Sequence, residues 1–239
     1  MVPIIWAEDG WPMVDNETGL VQTEDRLPDL PKTIYPLMPE SDNFECDTLQ
    51  MQWNTIHPPV EQIYSLTDRF GYLRLYTRKE VLNEICLPSF VGRRQRHKVF
   101  LAKTAMEFTP ANENDEAGIA LVQDDRFHYL MVLVQKDGKP FLQAYKTENG
   151  TKSLLAETEI KKDVKRLYLS VQGNTTDYDF YYGYTDQEML PLVRGLNASL
   201  LSSVVNNGFT GTYIGMYTSS NHQPSTNYAD FDWFNYQGE

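Results

Sequence analysis

Beyond about residue 42 the chain is built of short runs in which apolar and polar positions alternate. Leu167, Leu169 and Val171 alternate with more polar neighbours, and the even positions from Tyr178 to Tyr184 place aromatic rings on one face of the next run. A period of two is typical of β-strands that bury one face. The pattern therefore predicts an all-β protein.

Turn residues separate these runs at regular intervals. Asp137-Gly138 and Asn149-Gly150 supply the positive φ angles that tight hairpins need, so residues 117–158 are predicted to form a four-stranded meander. Only residues 188–205 have a sequence compatible with a short helix. No repeat of fixed period is visible, which disfavours a propeller within this chain. We expect a β-sandwich of roughly a dozen strands.

The last run, residues 230–236, contains a candidate cation site. Alternation places Asp230 and Asp232 on one face, opposite Phe231. Asp42 begins the predicted sandwich, and the first and last strands of sandwiches often lie side by side. These three carboxylates are thus candidate oxygen ligands for Ca²⁺. The alternative is that they are solvated acids on a strand face.

The first forty residues differ from the rest, because they contain six prolines and scattered acids. Proline lacks a backbone donor for a sheet, so this segment is predicted to be an extended arm. Trp6 and Trp11 flank Glu8–Gly10 within it, and aromatic side chains of that size in a tether usually dock on another surface. Residues 1–40 and 41–239 are therefore separate predicted units.

The amino-acid composition restricts the classes of partner that this chain is expected to bind. The 239 residues include 33 acidic and 21 basic ones, with a formal net charge of −12, which disfavours nucleic acid as a partner. No apolar run is long enough for a membrane span, so no membrane partner is expected. Cys46 and Cys86 are predicted to be free thiols, and a single disulfide between them is the alternative.

Familiar catalytic motifs are missing. The four histidines are scattered, and neither zinc-ligand spacing nor a nucleophile elbow occurs. Glycoside hydrolysis needs two carboxyl groups a few ångströms apart, which a sequence does not show. Candidate pairs are Asp124-Asp125, Asp177/Asp179 and Asp230/Asp232, and the alternative for all of them is a role in turns and on strand faces.

The stretch Phe90–His97 is dense in cations, and on a strand Arg93 and Arg94 point in opposite directions. In so acidic a chain we expect these arginines to pair with carboxylates across a strand or a domain boundary. The alternative is that a guanidinium group lines a sugar pocket through its fork of donors.

Five segments, in order, resemble the C-terminal β-sandwich of glycoside hydrolase family 43 β-xylosidases and α-L-arabinofuranosidases. They are Phe90–His97, Glu113–Gly118, Phe127–Tyr129, Gly208–Gly215 and Ala229–Phe234. Residues 1–31 resemble the tail of the same enzymes' catalytic domain, where a tryptophan followed by Asp-Gly-Trp-Pro is typical. Trp6 and Asp9–Pro12 match that pattern.

The resemblance implies a concanavalin A-like jelly roll of two antiparallel sheets, preceded by the extended arm. It also implies an upstream five-bladed propeller with three catalytic carboxylates that act with inversion, so this chain alone is expected not to hydrolyse glycosides. In such enzymes a sandwich loop places a phenylalanine at the propeller's pocket, and the motif Gly208–Gly211 assigns that role to Phe209. The alternative is that Phe209 is an ordinary core residue.

Three functions follow from these observations. The first is a non-catalytic accessory domain of a xylan-degrading glycosidase, with Trp6 and Trp11 at the propeller contact, Phe209 at the pocket rim and Arg93 or Arg94 as weaker rim candidates. Xylo-oligosaccharides or arabinoxylan-type sugars are the expected ligands, and no cofactor is required, although Ca²⁺ is a candidate. The alternatives are a free-standing carbohydrate-binding module and a module for homo-oligomer assembly.

The position of Met1 is expected to be a fragment boundary, because the segment after it resembles the end of another domain. Met1–Trp6 is too short for a signal-peptide core and lacks a basic flank. The chain thus contains no recognisable targeting signal. For the parent enzyme, a periplasmic or secreted location is expected ahead of a cytoplasmic one.

Overall fold

The structure is a computed structural model that describes residues 2–15, 18–24, 27–35 and 38–239, and its regular secondary structure is almost wholly β-strand. The chain divides into two compact units, Met1–Met38 and Pro39–Glu239. Within the described ranges, no helix is both long enough and apolar enough to cross a membrane.

The first unit contains an antiparallel hairpin. Strand β1 (Ile4–Trp6) pairs with β2 (Pro12–Val14), with Trp6 opposite Pro12. Gly10 closes the turn at a φ of +82°, and its amide N–H donates to the carbonyl of Ala7 at 2.9 Å. The predicted arm therefore begins with a local hairpin, which proline permits because Pro12 is the first residue of its strand.

The second unit is a sandwich of two antiparallel sheets, as the alternation predicts. One sheet has six strands, in the order β11-β10-β9-β8-β15-β6. They are β6 (Ser89–Arg94), β8 (Glu116–Val122), β9 (His128–Lys136), β10 (Lys139–Glu148), β11 (Thr151–Glu159) and β15 (Tyr213–Ser219). The concanavalin A-like sandwich architecture is confirmed.

The other sheet follows the order β14-β13-β12-β7-β16-β5-β4, and a short β3 pairs with β16. Its strands are β3 (Ser41–Asp42), β4 (Tyr64–Ser65), β5 (Leu73–Tyr76), β7 (Val99–Glu107), β12 (Leu167–Asn174), β13 (Asp177–Gly183), β14 (Leu190–Asn197) and β16 (Tyr228–Gly238). First and last strands of the sandwich thus lie side by side, as expected.

The predicted four-stranded meander is confirmed as β8 to β11, which pair with their sequence neighbours. Its turns use the expected residues. Asp137 and Gly138 have φ values of 51° and 73°, and Asn149 and Gly150 have 51° and 80°. Positive φ at both central positions gives the turn twist that matches the twist of the flanking strands.

Strands β8 and β9 are buried on both faces, so their sequences do not alternate. Ile119 and Met131 pack between the sheets, in the main core. Ala120 and Val132 lie on the opposite face, where a second apolar cluster covers them, including Leu82, Phe90, Leu130 and Tyr217. Central strands that are covered twice are nearly continuous apolar runs.

The prediction of a helix over 188–205 is wrong for its first half. Residues 190–197 form the edge strand β14, whose Leu196 is buried opposite Tyr178. Only a 3₁₀ turn at Ala198–Leu201 and the one-turn helix α1 (Ser203–Asn206) follow. Pro191 is tolerated in β14 because an edge strand has one side without a ladder partner.

A bulge in β16 interrupts the alternation of inward-facing and outward-facing residues beyond Phe231. The register against β7 shifts between Phe231 and Trp233, so Phe231 and Phe234 both point inward and are fully buried. Trp233 is left on the outer face beside Tyr168, with ring centroids 6.3 Å apart. A bulge inserts one extra residue and reverses the alternation beyond it.

The two cysteines are free thiols, as predicted. Cys46 is exposed, whereas Cys86 is half-buried and its thiol donates to the carbonyl oxygen of Val81 at 3.1 Å. Burial raises the pKa of the Cys86 thiol. The alternative of a single disulfide is excluded in this structure.

Candidate functional site

The segment after α1 forms a loop, residues 207–212, whose backbone is fixed at several points. Asn207 ends the helix in the left-handed conformation, at a φ of 56°. Thr210 Oγ1 donates to the carbonyl oxygen of Gln123 at 3.1 Å, and Thr212 Oγ1 donates to that of Leu201 at 3.2 Å. The 207–212 loop is therefore tied to the sandwich by two threonines that both follow residue 209.

Phe209 directly precedes these ties and is fully exposed, at 105% of its reference area. Val204 and Val205 on α1 are also exposed, at 88% and 58%. Burying a phenylalanine side chain is worth about 1.5–3 kcal/mol, which this chain leaves unused at Phe209. The alternative of a core role for Phe209 is wrong for this chain, and the loop presents its ring to an external surface.

Arg94 supports the same loop. Its Nη1 donates to the carbonyl oxygen of Gly211 at 3.2 Å, and its guanidinium carbon lies 4.4 Å from the ring centroid of Tyr213. A Cβ atom at residue 208 would lie 2.2 Å from Nε2 of Gln123, so a larger residue there would require the Gln123 side chain to move. Arg94 and Gly208 thus shape the loop that holds Phe209.

Arg93 points the other way, into the end of the sandwich, and it is buried. Its Nη1 donates to the carbonyl oxygen of Pro39 at 3.1 Å, and its guanidinium carbon lies 4.9 Å from the Tyr236 ring centroid. Burial lowers the pKa of this guanidinium group. Its Nη2 has no hydrogen-bond partner within the described residues.

The predicted opposite facing of the two arginines is thus observed. Their expected pairing with carboxylates across a strand is not observed, and pairing across a domain boundary stays a prediction. Within the part of the chain that the structure describes, the ion pairs involve neither Arg93 nor Arg94. Backbone carbonyl groups and tyrosine rings are their partners instead. A guanidinium group with five donors finds such partners without a carboxylate.

Two of the three candidate calcium ligands, Asp230 and Asp232, form hydrogen bonds and ion pairs with arginines. Asp230 accepts hydrogen bonds from Arg74 Nε at 2.7 Å and from Arg69 Nη1 at 3.0 Å. Asp232 forms an ion pair with Arg166 Nη1 at 2.7 Å. These two aspartates do share the outer face of their sheet, as alternation predicts.

Asp42 lies apart from that pair and corrects the predicted ligand set. Its Oδ1 accepts from the Phe44 amide at 2.9 Å, and its Oδ2 accepts from Trp53 Nε1 at 2.7 Å. The described residues contain no group of three or more histidine, cysteine or acidic side chains placed to hold a metal ion. Asp42 therefore fixes a buried corner of the sandwich instead of joining Asp230 and Asp232.

Glu107 connects the arginines on that outer face. It accepts from Arg69 Nη1 and from Arg166 Nη2, each at 2.7 Å, and from the Tyr72 hydroxyl at 3.3 Å. Burial acts to raise the pKa of Glu107, but the hydrogen bonds from Arg69 and Arg166 outweigh it and hold the pKa below its usual value. The cluster is a satisfied ionic network that links β5, β7 and β16.

Replacing Glu107 by glutamine is expected to lower the free energy of unfolding by about 1–2 kcal/mol at neutral pH, because two half-buried arginines lose a charged acceptor. The folded-state pKa of Glu107 is depressed, so its contribution is present above the unfolded-state pKa and is lost as the pH falls through the folded-state value. Urea unfolding at neutral and at acidic pH measures both effects.

The matched control for this variant is Glu159→Gln, which removes an exposed pair with Lys139 at 3.0 Å. An exposed pair contributes little, so the control should cost less than about 0.5 kcal/mol. Equal losses for the two variants would mean that the network adds no more than one exposed ion pair.

The other candidate carboxylate pairs support local structure. Asp124 Oδ1 accepts from the amides of Arg126 and Phe127, both at 2.9 Å, and thereby shapes the turn before β9. Asp179 Oδ1 accepts from the Gly195 amide at 2.8 Å, beside a bulge between β13 and β14. These contacts agree with the alternative in which the acids serve turns and strand faces.

Trp6 and Trp11 are both largely exposed within the first unit, at 74% and 72%. The Trp11 amide donates to Asp9 Oδ1 at 3.2 Å, so the turn between the two strands is ordered by a local hydrogen bond. The hairpin thus holds two indole rings in solvent. Their predicted contact with a further domain stays a prediction.

The architecture defines the class of protein: a two-sheet concanavalin A-like sandwich that presents an exposed phenylalanine on a loop. The chain belongs to the family of β-xylosidase C-terminal concanavalin A-like domains found in glycoside hydrolase family 43, whose model matches residues 41–237. The sequence resemblance is thereby confirmed.

Similar proteins support the same family assignment. A non-reducing end α-L-arabinofuranosidase of Bacteroides ovatus is 33% identical over 239 residues, which cover 99% of this chain and 44% of that protein. A xylosidase/arabinosidase of Butyrivibrio fibrisolvens is 31% identical, covering 98% of this chain and 45% of the relative. The xylan β-1,4-xylosidase structure from Bacillus halodurans C-125 matches with a TM-score of 0.89 at 28% identity, over 99% of this chain and 46% of that one.

This chain therefore corresponds to the C-terminal domain of family 43 xylosidases and arabinofuranosidases, and it spans less than half the length of these relatives. Sequence reasoning found Phe209 but missed Val204 and Val205 beside it. Both valines fall in the segment predicted as helix, where an apolar residue is expected to face the core. Their exposure becomes visible only once α1 is seen to be a single turn.

Proposed function

We propose that this chain is the non-catalytic accessory domain of a xylan-degrading glycosidase, that it packs on an upstream five-bladed propeller, and that Phe209 lines the propeller's substrate pocket. The observation that carries the proposal is the full exposure of Phe209 on a loop that Thr210 and Thr212 tie to the sandwich directly after it. An apolar ring held in solvent by an ordered backbone is typical of a contact surface. Trp6 and Trp11 supply further apolar contact area for the propeller.

The chemical role of Phe209 follows from the properties of a phenyl ring. A flat apolar wall packs against the C–H face of a pentose ring while it excludes water from the pocket. Such a wall also shortens the pocket, which favours removal of one terminal sugar over cleavage within a chain. The expected substrates are xylo-oligosaccharides or arabinoxylan-type sugars.

The acid and base of hydrolysis are assigned to the propeller. Inverting hydrolysis needs one carboxylic acid and one carboxylate about 6.5–9.5 Å apart with room for a water between them. In this chain Asp230, Asp232 and Glu107 are engaged by arginines, and Asp124 and Asp179 cap backbone amides. These contacts support a non-catalytic role.

The isolated 239-residue chain is expected to show no turnover of 4-nitrophenyl β-D-xylopyranoside or 4-nitrophenyl α-L-arabinofuranoside, because the candidate carboxylates among its described residues are engaged by arginines or by backbone amides. Release of nitrophenol, followed by absorbance, measures this. The non-catalytic assignment would be overturned if the purified chain hydrolysed either substrate and if the Asp230→Asn variant did not.

The same chain is expected to give no heat with xylohexaose, which separates an accessory domain from a free-standing carbohydrate-binding module. On the six-stranded sheet, Tyr217 is buried and its hydroxyl donates to Glu116 Oε1 at 3.2 Å, so its ring is not part of a solvent-facing platform. Saturable binding of xylohexaose in calorimetry would favour the module instead.

A further inference from the structure

One end of the sandwich opens into a cavity of about 400 Å³ between the two sheets. Its floor consists of buried apolar side chains that also belong to the main core: Met106, Phe108, Leu133, Ile160 and Leu167. The cavity reaches the Lys136 end of β9. Tyr213, which follows the 207–212 loop, pairs with Val122, and Val122 pairs with His128. The loop therefore adjoins the His128 end of β9, which is opposite to the end that the cavity reaches.

The mouth of this cavity is strongly basic, although the chain as a whole is acidic. Four of its 21 basic residues line the cavity and are exposed: Lys139, Lys161, Lys162 and Lys165. Among the residues that line it, Asp163 alone is acidic. A cluster of one charge sign around an apolar recess raises the local concentration of ligands with the opposite charge.

These lysines are only partly neutralised within the described part of the chain. Lys139 pairs with Glu159 at 3.0 Å, and the ammonium group of Lys161 lies 4.5 Å from the Tyr184 ring centroid. Lys162 and Lys165 form no ion pair with the described residues. Two cations next to an apolar cavity are therefore available to an incoming anion.

We propose that this cavity binds a small organic anion with an apolar body, namely an aliphatic monocarboxylate. The apolar floor stabilises the chain of such a ligand by about 0.8 kcal/mol per buried CH₂ group, and the lysines attract its carboxylate. A sugar fits less well, because most of its hydroxyl groups would lose water against a floor with few hydrogen-bond partners. A volume of 400 Å³ is in the usual range for small-molecule sites.

The first test is titration calorimetry of the 239-residue chain with octanoate. We expect saturable binding of one octanoate per chain, a negative heat-capacity change from apolar burial, and weaker binding as ionic strength rises. Octan-1-ol, which lacks the charge, and glucuronate, which lacks the apolar body, should each bind about tenfold more weakly or worse. Absence of octanoate binding, or equal affinity for either comparator, would overturn the proposal.

Variants locate the binding at this cavity. The double variant Lys162→Glu with Lys165→Glu should weaken octanoate binding about tenfold, because two attractions become repulsions. The matched control, Lys79→Glu with Lys98→Glu, changes the net charge equally at exposed lysines outside the cavity and should change the affinity less than about twofold. Equal weakening in both would show that octanoate responds to net charge and not to this site.

A filling variant provides an independent test that does not depend on charge. Val164 is half-buried at the cavity wall, so Val164→Trp should occupy the space and abolish octanoate binding. The far-ultraviolet circular dichroism spectrum checks that the variant remains folded. Unchanged octanoate affinity in a folded Val164→Trp protein would contradict the site.

Discussion

Replacing Phe209 by alanine is expected to reduce kcat/KM of the full-length enzyme for an aryl β-D-xyloside by about ten- to hundredfold. That range corresponds to the roughly 1.5–3 kcal/mol that a buried phenyl ring contributes when it closes a substrate pocket. Because the ring is fully exposed in this domain, its removal should change the domain's free energy of unfolding by less than about 0.5 kcal/mol. Steady-state kinetics and urea unfolding together separate the two effects.

Phe70 offers a matched control, since it is another exposed phenylalanine of the sandwich, at 75% of its reference area, and lies outside the 207–212 loop. Phe70→Ala should leave kcat/KM unchanged. Phe209→Tyr should retain most of the activity, because it keeps the aromatic wall. If Phe209→Ala lost activity only in proportion to a loss of folded protein, Phe209 would be structural and its pocket role would be contradicted.

A sharper version of the experiment addresses the two valines beside Phe209. Val204 and Val205 are exposed on α1, a few residues before Phe209, and we propose that they extend the surface that packs on the propeller. In the full-length enzyme, Val204→Asp is expected to weaken domain docking, which would appear as separate unfolding transitions in calorimetry. The same substitution in the isolated domain should leave its single transition nearly unchanged.

The sandwich could be predicted from sequence because the signals for its strands and turns lie within short stretches of the chain. Alternation in runs such as Leu167–Val171 reports which face is buried, and Asp137-Gly138 and Asn149-Gly150 specify their own turns. The edge strand β14 was not predictable, because its register against the preceding strand β13 is irregular and its residues do not alternate in burial. An edge strand with a proline and mixed polarity resembles a loop or a helix start when it is read alone.

The candidate site was only partly predictable, because its contacts span long stretches of sequence. Arg74 and Asp230 are 156 positions apart, and nothing local to either residue indicates the other. Phe209 was found through its motif, but its exposure follows from a loop that has no periodicity. The lysines at 161, 162 and 165 were passed over in favour of Phe90–His97, since adjacency to a cavity is visible only when β-strands from both sheets are in place.

The bulge in β16 leads to the largest expected effects on stability. Phe231→Ala and Phe234→Ala should each lower the free energy of unfolding by about 3–5 kcal/mol, because both rings are fully buried and each truncation leaves a cavity. Phe234 also loses an edge contact with Trp53, whose ring centroid lies 5.2 Å away. Urea unfolding of the isolated domain, with the slope of the transition compared between variants, measures both losses.

Trp233→Ala is the control that decides between the bulge and a regular strand. Trp233 lies on the outer face beside Tyr168, so its loss should cost only about 1 kcal/mol, the order of one half-exposed aromatic pair. An uninterrupted alternation would instead bury Trp233 with Phe231 and expose Phe234, which would exchange the large and small effects. The ranking of Phe234→Ala against Trp233→Ala therefore reports the register of β16 beyond Phe231.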